Sequence, residues 1–205
     1  MRVLGSVVAA ALVAITALTY SNTVIDFDTF AVGWLAQMRT PFLTQFFSWI
    51  TLLGNAYVVA GITIIVVAAL LVRTRTRSAA AAVAVSVIGA GITDLIMKFG
   101  IERARPLSPI ALIHEATSSF PSGHATAAVA LYGFLGFLLY QNAHTQKQKR
   151  GIALATGIII AAIGMSRLYL GVHYPTDIVA GYLLGALWVV VGIRIDENKY
   201  LFFKK

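Results

Sequence analysis

The feature that most constrains this chain is a series of long apolar blocks separated by short polar segments. Six blocks can be delimited in the 205 residues, and most of them approach the ~20 residues that an α-helix needs to cross a bilayer. Because backbone N–H and C=O groups find no partners in lipid, blocks of this kind must be helical. The sequence therefore predicts an all-α membrane protein with six transmembrane helices, over residues 3–19, 56–72, 78–97, 122–140, 152–165 and 178–193.

The low content of charged residues agrees with a membrane protein. The chain is 59% hydrophobic and 12% charged, whereas soluble domains contain about 25% charged residues. No polar segment is long enough to fold alone, so residues 1–205 are expected to form a single integral membrane domain. The absence of cysteine excludes a disulfide framework and a thiolate metal site.

The first block has the position of a secretory signal peptide, because it follows Met1 and Arg2 directly. Its apolar part is longer than the ~7–15 residues that such peptides use, which favours a retained first span. Cleavage would leave the topology of the other five spans unchanged.

The segment between the first and second blocks, residues 26–55, is less uniform. It mixes two aspartates, an arginine and a proline with aromatic side chains. This pattern is typical of amphipathic helices that lie in the membrane interface with their rings at headgroup depth. Short interfacial helices are therefore predicted there, with these aromatic residues as anchors: Phe30, Trp34, Phe42, Phe46, Phe47 and Trp49.

The distribution of basic residues predicts the orientation. Six spans place both chain ends on one side, together with the loops after the second and fourth spans, and that side carries eleven of the 16 Lys and Arg residues. The positive-inside rule makes it cytoplasmic. The same explanation accounts for the net charge of +8 without nucleic-acid binding. The other side, predicted to be the outer one, keeps Arg39, Lys98, Arg103, Arg105 and Arg167.

Three polar segments meet on that outer side. Residues 98–106 end the third span, residues 121–124 open the fourth, and residues 166–177 connect the fifth to the sixth. Phosphoryl transfer needs cations around the transferring oxygens, a nucleophile, and an acid for the leaving oxygen. The three segments together supply each of these groups.

The cations are Lys98, Arg105 and Arg167. The planar fork of an arginine suits phosphate oxygens, and its charge is permanent. Asp94 lies one helical turn before Lys98 and is interpreted as its ion partner rather than as a catalyst. The fixed cations make a metal ion unnecessary, and no metal or cofactor is predicted.

The nucleophile and the acid are drawn from two histidines. His173 precedes Asp177 by four residues, so the carboxylate can orient the ring through one N–H and leave the other nitrogen free to attack. Ser122 and Gly123 open a helix whose free N–H groups can bind an anion, and His124 follows them.

These residues resemble the three-part signature of the type 2 phosphatidic acid phosphatase superfamily. All three parts occur in order on the same side, and the six-span layout matches, so the resemblance covers essentially the whole chain. Within the superfamily the chain is similar to the small bacterial phosphatidylglycerophosphatases of the B type. The parts are Lys98-x6-Arg105-Pro106, Pro121-Ser122-Gly123-His124 and Ser166-Arg167-x5-His173-x3-Asp177.

The resemblance implies a role for each residue. His173 is expected to be the nucleophile that forms a phosphohistidine, and Asp177 to orient and polarise it. His124 is expected to protonate the leaving alkoxide and then to activate water. The expected phosphate-binding residues are Lys98, Arg105, Ser122, Gly123 and Arg167.

The function implied by the resemblance is hydrolysis of a lipid phosphate monoester, with phosphatidylglycerophosphate as the first expected substrate. Undecaprenyl diphosphate is the alternative, which a site on the outer face favours, and phosphatidate is a further candidate. No nucleic-acid partner and no obligatory protein partner are expected. A phosphotransferase that uses an alcohol in place of water stays open.

Two rival classes are disfavoured. A channel or transporter would spread ionisable residues along several spans at different depths, whereas here they gather at one end. The vanadate-dependent peroxidases that share the signature are soluble, and this chain is not.

Three residues near the signature receive structural interpretations. His114 and Glu115 are interpreted as part of a mobile polar loop, with a headgroup contact as the alternative. Arg103 is expected to pair with its neighbour Glu102 or to face the lipid surface. Neither Arg103 nor Glu102 is predicted to act in catalysis.

Overall fold

The computed structural model describes residues 2–72, 77–107 and 110–197, and within these ranges it contains helices and loops but no strand. A π-helical turn, Val129–Gly133, joins the two helices of the fourth span. The helices are α1 (Arg2–Tyr20), α2 (Ile25–Gln37), α3 (Pro41–Leu52), α4 (Ala56–Val72), α5 (Arg77–Ile101), α6 (Gly123–Ala128), α7 (Phe134–Asn142), α8 (Gln146–Tyr169) and α9 (Pro175–Glu197).

Five segments are long and apolar enough to cross a membrane: Val3–Tyr20, Arg77–Ile101, Gly123–Asn142, Gln146–Tyr169 and Pro175–Asp196. A sixth span forms when α3 and α4 are taken together across a bend of 44°. The protein is therefore an all-α, multi-pass membrane protein, as predicted. Helix α4 has the predicted bounds, but its 17 residues make a span only with α3, which the sequence placed entirely in the interface.

Helices α5, α8 and α9 are all longer than their apolar patterns, and α8 exceeds its pattern most. The predicted span 152–165 is only the middle of α8, because Thr145 and Gln148 form a capping box that starts the helix among polar residues. At its other end α8 keeps Arg167 in its last turn, as α5 keeps Lys98. These two cations therefore project from helix ends, and the loop between α8 and α9 is shorter than the predicted segment 166–177.

Helix α2 is the short interfacial helix that the sequence predicts. Phe27, Phe30 and Trp34 are exposed on its outer face, where lipid headgroups would meet them. Asp28 and Val32 are buried on the face that packs on the bundle. The chain then turns at Thr40, which caps α3, with Pro41 in the first position of that helix.

Helix α9 packs against α1, α5 and α6 and is the centre of the bundle. Leu12 of α1 belongs to the same buried cluster as Ala180 and Leu184 of α9, so α1 packs as a span of the bundle does. Glycines on α9 admit α6 closely: a Cβ at Gly181 would lie 2.7 Å from the carbonyl oxygen of Ser122. This contact places the start of α6 beside the start of α9.

Only some of the eleven basic residues that predict the orientation lie within the described ranges. At the end of the bundle away from the signature residues lie Arg77, the start of α8 and the last turn of α9. Arg2 begins α1, and the other basic residues of that group fall outside the described ranges, namely Arg73, Arg75, Lys199, Lys204 and Lys205.

Candidate active site

The signature residues meet at one end of the bundle. The end of α5, the loop from 102 to 122, the start of α6, the end of α8 and the start of α9 converge there. The convergence places the two predicted catalytic histidines within electrostatic range of each other and of three cations. The residues brought together are Lys98, Arg105, Ser122, Gly123, His124, Arg167, His173 and Asp177.

The ring of His173 is held at both nitrogens. Its Nδ1 lies 3.4 Å from Oδ2 of Asp177, and its Nε2 lies 3.2 Å from Nη1 of Arg105. Because a carboxylate only accepts, Nδ1 carries the proton and Nε2 presents its lone pair. Burial lowers the pKa of His173 to about 4, although Asp177 acts in the opposite direction. The imidazole is therefore neutral at pH 7, as a nucleophile must be.

Both oxygens of the Asp177 carboxylate are engaged. Oδ2 accepts from Ser119 Oγ at 2.5 Å and from the backbone N–H of Tyr174 at 2.8 Å. Oδ1 accepts from Nη1 of Arg103 at 2.5 Å. Asp177 is fully buried, so these donors compensate a charge that would otherwise be costly to remove from water. They also fix the plane of the carboxylate against the imidazole.

The expectation for Arg103 is wrong. Its guanidinium points inward and pairs with Asp177 and with Asp28 of α2, at 2.5 and 2.6 Å. The physical reason lies in Glu102, which adopts a left-handed conformation with φ of 49° immediately after α5. That turn leaves Glu102 exposed and directs the next side chain back toward the bundle.

Lys98 and Arg105 are anchored by carbonyl oxygens of the loop before α6. Lys98 Nζ donates to the carbonyls of Pro121 and Ser118. It also lies 3.9 Å from Oδ2 of Asp94, which confirms the predicted ion pair. Arg105 donates through Nη1 to the carbonyl of Val172 at 2.7 Å. Burial lowers the pKa of Arg105, but a guanidinium stays charged at any physiological pH.

Arg167 is almost completely buried, and only two of its three guanidinium nitrogens have a partner among the described residues. Its Nη1 donates to Thr51 Oγ1 at 2.8 Å, and its Nη2 pairs with Glu115. Within the described residues Nε of Arg167 and Oγ of Ser122 are buried without a partner. Buried polar groups normally have partners, so these two atoms fit a ligand oxygen. The free N–H groups at the start of α6 favour an anion in the same place.

Glu115 therefore belongs to the site, contrary to its interpretation as part of a mobile loop. Together with His114 it lines a cavity of about 270 Å³ beside Arg105, closed on other sides by Pro106 and Val172. The carboxylate of Glu115 occupies one arm of the Arg167 fork. A bound phosphate would compete with it for that arm.

His124 is held in a different way from His173. It lies in the first turn of α6, is half-buried, and has no hydrogen-bond partner among the described residues. Its ring packs on Gly54, where an added Cβ would lie 2.9 Å from Cδ2 of His124. The imidazole is thus placed by packing, and both of its nitrogens remain available for proton transfer.

Sequence reasoning missed four contributors: Asp28, Thr51, Arg103 as a partner of Asp177, and Ser119. Of these, only Asp28 could have been singled out from the sequence. A carboxylate in an aromatic-rich membrane helix costs free energy, which indicates a functional or structural partner. The others depend on contacts between residues far apart in the chain, which no local pattern encodes.

Comparisons with known proteins agree with this geometry. A family model described as the PAP2 superfamily matches residues 79–201. The chain is 29% identical to phosphatidylglycerophosphatase B of Bacillus subtilis, over 93% of this chain and 94% of that protein. It is 31% identical to the decaprenylphosphoryl-5-phosphoribose phosphatase of Mycobacterium tuberculosis, over 50% of this chain and 51% of that protein.

A solved structure extends the similarity to the fold. The crystal structure of a transmembrane PAP2 type phosphatidylglycerolphosphate phosphatase from Bacillus subtilis matches with a TM-score of 0.87 and 27% identity. The match covers 97% of this chain and 98% of that chain. The similarity therefore includes the interfacial helix and the bent pair as well as the signature segments.

Proposed function

Because the chain belongs to the PAP2 superfamily, we propose that it is a membrane lipid phosphatase that hydrolyses phosphatidylglycerophosphate to phosphatidylglycerol and phosphate. One observation carries the proposal: the neutral, buried His173 presents Nε2 beside Arg105. Ser122 Oγ and Arg167 Nε, in the same site, have no partner among the described residues. The similarity to a phosphatidylglycerophosphatase over nearly the full length of both chains supports the choice of substrate.

In the first step Nε2 of His173 attacks phosphorus and the bond between phosphorus and the glycerol oxygen breaks. His124 gives its proton to that leaving oxygen, so that phosphatidylglycerol departs with a free hydroxyl group and not as an alkoxide. Asp177 keeps the proton on Nδ1 and stabilises the positive charge that the ring acquires. Lys98, Arg105 and Arg167 offset the charge on the transferring oxygens.

In the second step His124 takes a proton from a water molecule, and the water oxygen attacks phosphorus. The bond between phosphorus and Nε2 breaks, and its electron pair returns to the ring of His173. Inorganic phosphate leaves, and His124 is protonated for the next cycle. The residues of the chain complete this cycle with fixed cations, so we propose that neither a metal ion nor a cofactor takes part.

A panel of substrates tests this function. We expect the purified protein to release phosphate from phosphatidylglycerophosphate faster than from phosphatidate or a soluble sugar phosphate. Activity should persist in excess EDTA and be blocked by vanadate or tungstate, which mimic the transferring group. Loss of activity on chelation, restored by Mg²⁺, would overturn the mechanism. Activity of the purified protein alone would also show that no protein partner is needed.

Undecaprenyl diphosphate is the second candidate substrate. The similarity to a phosphatase of a decaprenyl lipid favours it, since that relative acts on a polyprenyl phosphate compound by name. Including undecaprenyl diphosphate in the panel decides between the two, because a preference of 10-fold or more in kcat/KM corresponds to about 1.4 kcal/mol of transition-state binding.

We further propose that both termini are cytoplasmic and that the site lies on the outer face. The basic residues around the start of α8 support this orientation. The chain has no cysteine, so a thiol reagent can react only with the single cysteine that is introduced. Ala116→Cys in the exposed loop beside the site should react with an impermeant thiol reagent in intact cells, and Gln146→Cys should not. The opposite pattern would invert the topology.

A further inference from the structure

A fully buried carboxylate connects the interfacial helix to the candidate site. Asp28 of α2 is 0% exposed. Its Oδ1 accepts from the backbone N–H of Thr176 at 3.2 Å, and its Oδ2 accepts from Thr176 Oγ1 and from Nη2 of Arg103. These contacts join α2 to the first turn of α9, 148 positions later in the chain.

Arg103 continues the connection to the nucleophile. While Nη2 binds Asp28, Nη1 binds Oδ1 of Asp177 at 2.5 Å and Thr176 Oγ1 at 2.8 Å. The guanidinium also lies over the ring of Tyr174, with Cζ 4.3 Å from the centroid. The result is a row of alternating charges, from Asp28 through Arg103 to Asp177, that ends at Nδ1 of His173.

These contacts do more than attach α2 to the bundle, because they also involve the carboxylate of Asp177. Among the described residues the side-chain polar contacts of Asp28 and Arg103 are to each other, to Thr176 and to Asp177. Both residues therefore lie behind Asp177 and apart from the proposed phosphate-binding cations. Arg103 instead neutralises the one carboxylate that must stabilise the imidazolium of His173. Without Asp28 the full charge of Arg103 would act on Asp177 and weaken it as an acceptor.

We propose that Asp28 and Arg103 are positioning residues for the nucleophile: together they set the orientation and the charge balance of Asp177, and so make α2 part of the catalytic apparatus. The inference rests on the proposed phosphatase function. It assigns to an interfacial helix outside the three signature segments an influence, through Asp177, on the rate of attack by His173.

The test compares variants by a rate constant whose value does not depend on the fraction of inactive protein. Phosphoenzyme formation from nitrophenyl phosphate is followed by rapid quench in a single turnover with the enzyme in excess. A rate constant, unlike a yield, does not fall when part of the preparation is misfolded. We expect Asp28→Asn to lower it by about 10-fold or more, as loss of an orienting partner does elsewhere. The inhibition constant for inorganic phosphate should change by less than about 2-fold.

Two further variants separate positioning from folding. Arg103→Lys keeps the charge and should retain more of the rate than Arg103→Gln. The double variant Asp28→Asn/Arg103→Gln should be no slower than Arg103→Gln alone, because both changes break the same connection. Asp26→Asn is the matched control, since it removes an exposed carboxylate from the same helix, and it should leave the rate unchanged.

The proposal is overturned if Asp28→Asn keeps the wild-type rate constant, if the two single effects multiply in the double variant, or if Asp26→Asn is as slow as Asp28→Asn. A wild-type protein that transfers no phosphoryl group from any ester would overturn the phosphatase function, and this inference with it. If the wild type turns over and Asp28→Asn has the same rate constant, this inference alone is overturned.

Discussion

The two histidines of the site have opposite surroundings. His173 is 2% exposed and engages both ring nitrogens, one toward Asp177 and one toward Arg105. His124 is half-buried, packs on Gly54, and forms no hydrogen bond in the described part of the chain. A nucleophile gains from a fixed position and a fixed tautomer. A residue that must give a proton to one oxygen and take it from another gains from freedom to turn.

Replacing the fixed histidine should have the largest effect. We expect His173→Ala to reduce turnover by roughly 10⁴- to 10⁶-fold and to leave no covalent phosphoenzyme, because the attacking nitrogen is absent. The measurement is release of phosphate together with trapping of acid-labile label. His144→Ala, which changes an exposed histidine at the opposite end of the bundle, serves as the control. Label retained in His173→Ala would mean that another residue is the nucleophile.

Replacing the free histidine should depend on the leaving group. We expect His124→Ala to slow phosphorylation by roughly 10²- to 10⁴-fold with an alkyl phosphate, which needs an acid. The loss should be smaller with nitrophenyl phosphate, whose leaving group needs little protonation. Label should accumulate on His173, because the same residue activates water. Equal losses with both esters, or label on His124 in the wild type, would reverse the two roles.

Weakening the hold on His173 should give an intermediate result. Asp177→Asn keeps the imidazole but removes the charge that orients it, so we expect a loss of about 10²-fold in kcat. Because attack by His173 is common to all substrates, the loss should be the same for alkyl and aryl esters. A loss confined to alkyl phosphates would place Asp177 with the acid instead of the nucleophile.

Disturbing the packing of His124 should give the same dependence on the leaving group as His124→Ala, with a smaller loss of rate. A Cβ at Gly54 would lie 2.7 Å from Cγ2 of Ile163 and 2.9 Å from Cδ2 of His124, so Gly54→Ala should shift the ring of His124 and cost about 10-fold with alkyl phosphates. Nitrophenyl phosphate should be almost unaffected. Gly61→Ala, on the neighbouring helix α4 with open space around it, is the control and should match the wild type.

The smallest effect concerns pH. The pKa of His173 is lowered to about 4, so the ring stays neutral from neutral pH down to about pH 5 and is protonated only as the pH falls through 4. After correction for ionisation of the substrate, single-turnover phosphorylation should change less than about 2-fold between pH 7.5 and 5. An imidazole with the ordinary pKa of about 6.5 would lose about 30-fold over that interval.

The sequence was most informative where one local pattern decides the structure. Apolar blocks predicted the spans, and the pairing of Asp94 with Lys98 followed from their spacing on one helix. The bounds were less certain, because Thr145 starts α8 well before the apolar residues begin. A cap overrides hydropathy at the end of a helix, where only a few side chains are in lipid.

The sequence was least informative about the partners of charged residues. Arg103 binds Asp28 and Asp177, which lie 75 and 74 positions away, whereas the sequence predicts a pair with its neighbour Glu102 or exposure to the lipid surface. Glu115 binds Arg167 across 52 positions. Such pairings depend on which helix ends lie next to each other in the fold. A single sequence predicts where the helices end but not which ends are neighbours.

The pairing of the cations at this end of the bundle determines how a substrate arrives. Lys98 faces Asp94, Arg103 lies between two aspartates, and Arg167 faces Glu115. By sequence this end carries five Lys and Arg against six Asp and Glu, while eleven of the 16 basic residues belong to the opposite end. This end therefore has no net positive charge by sequence that would draw in an anionic headgroup from beyond a Debye length. Encounter is governed by lateral diffusion in the leaflet, and selection begins only at contact.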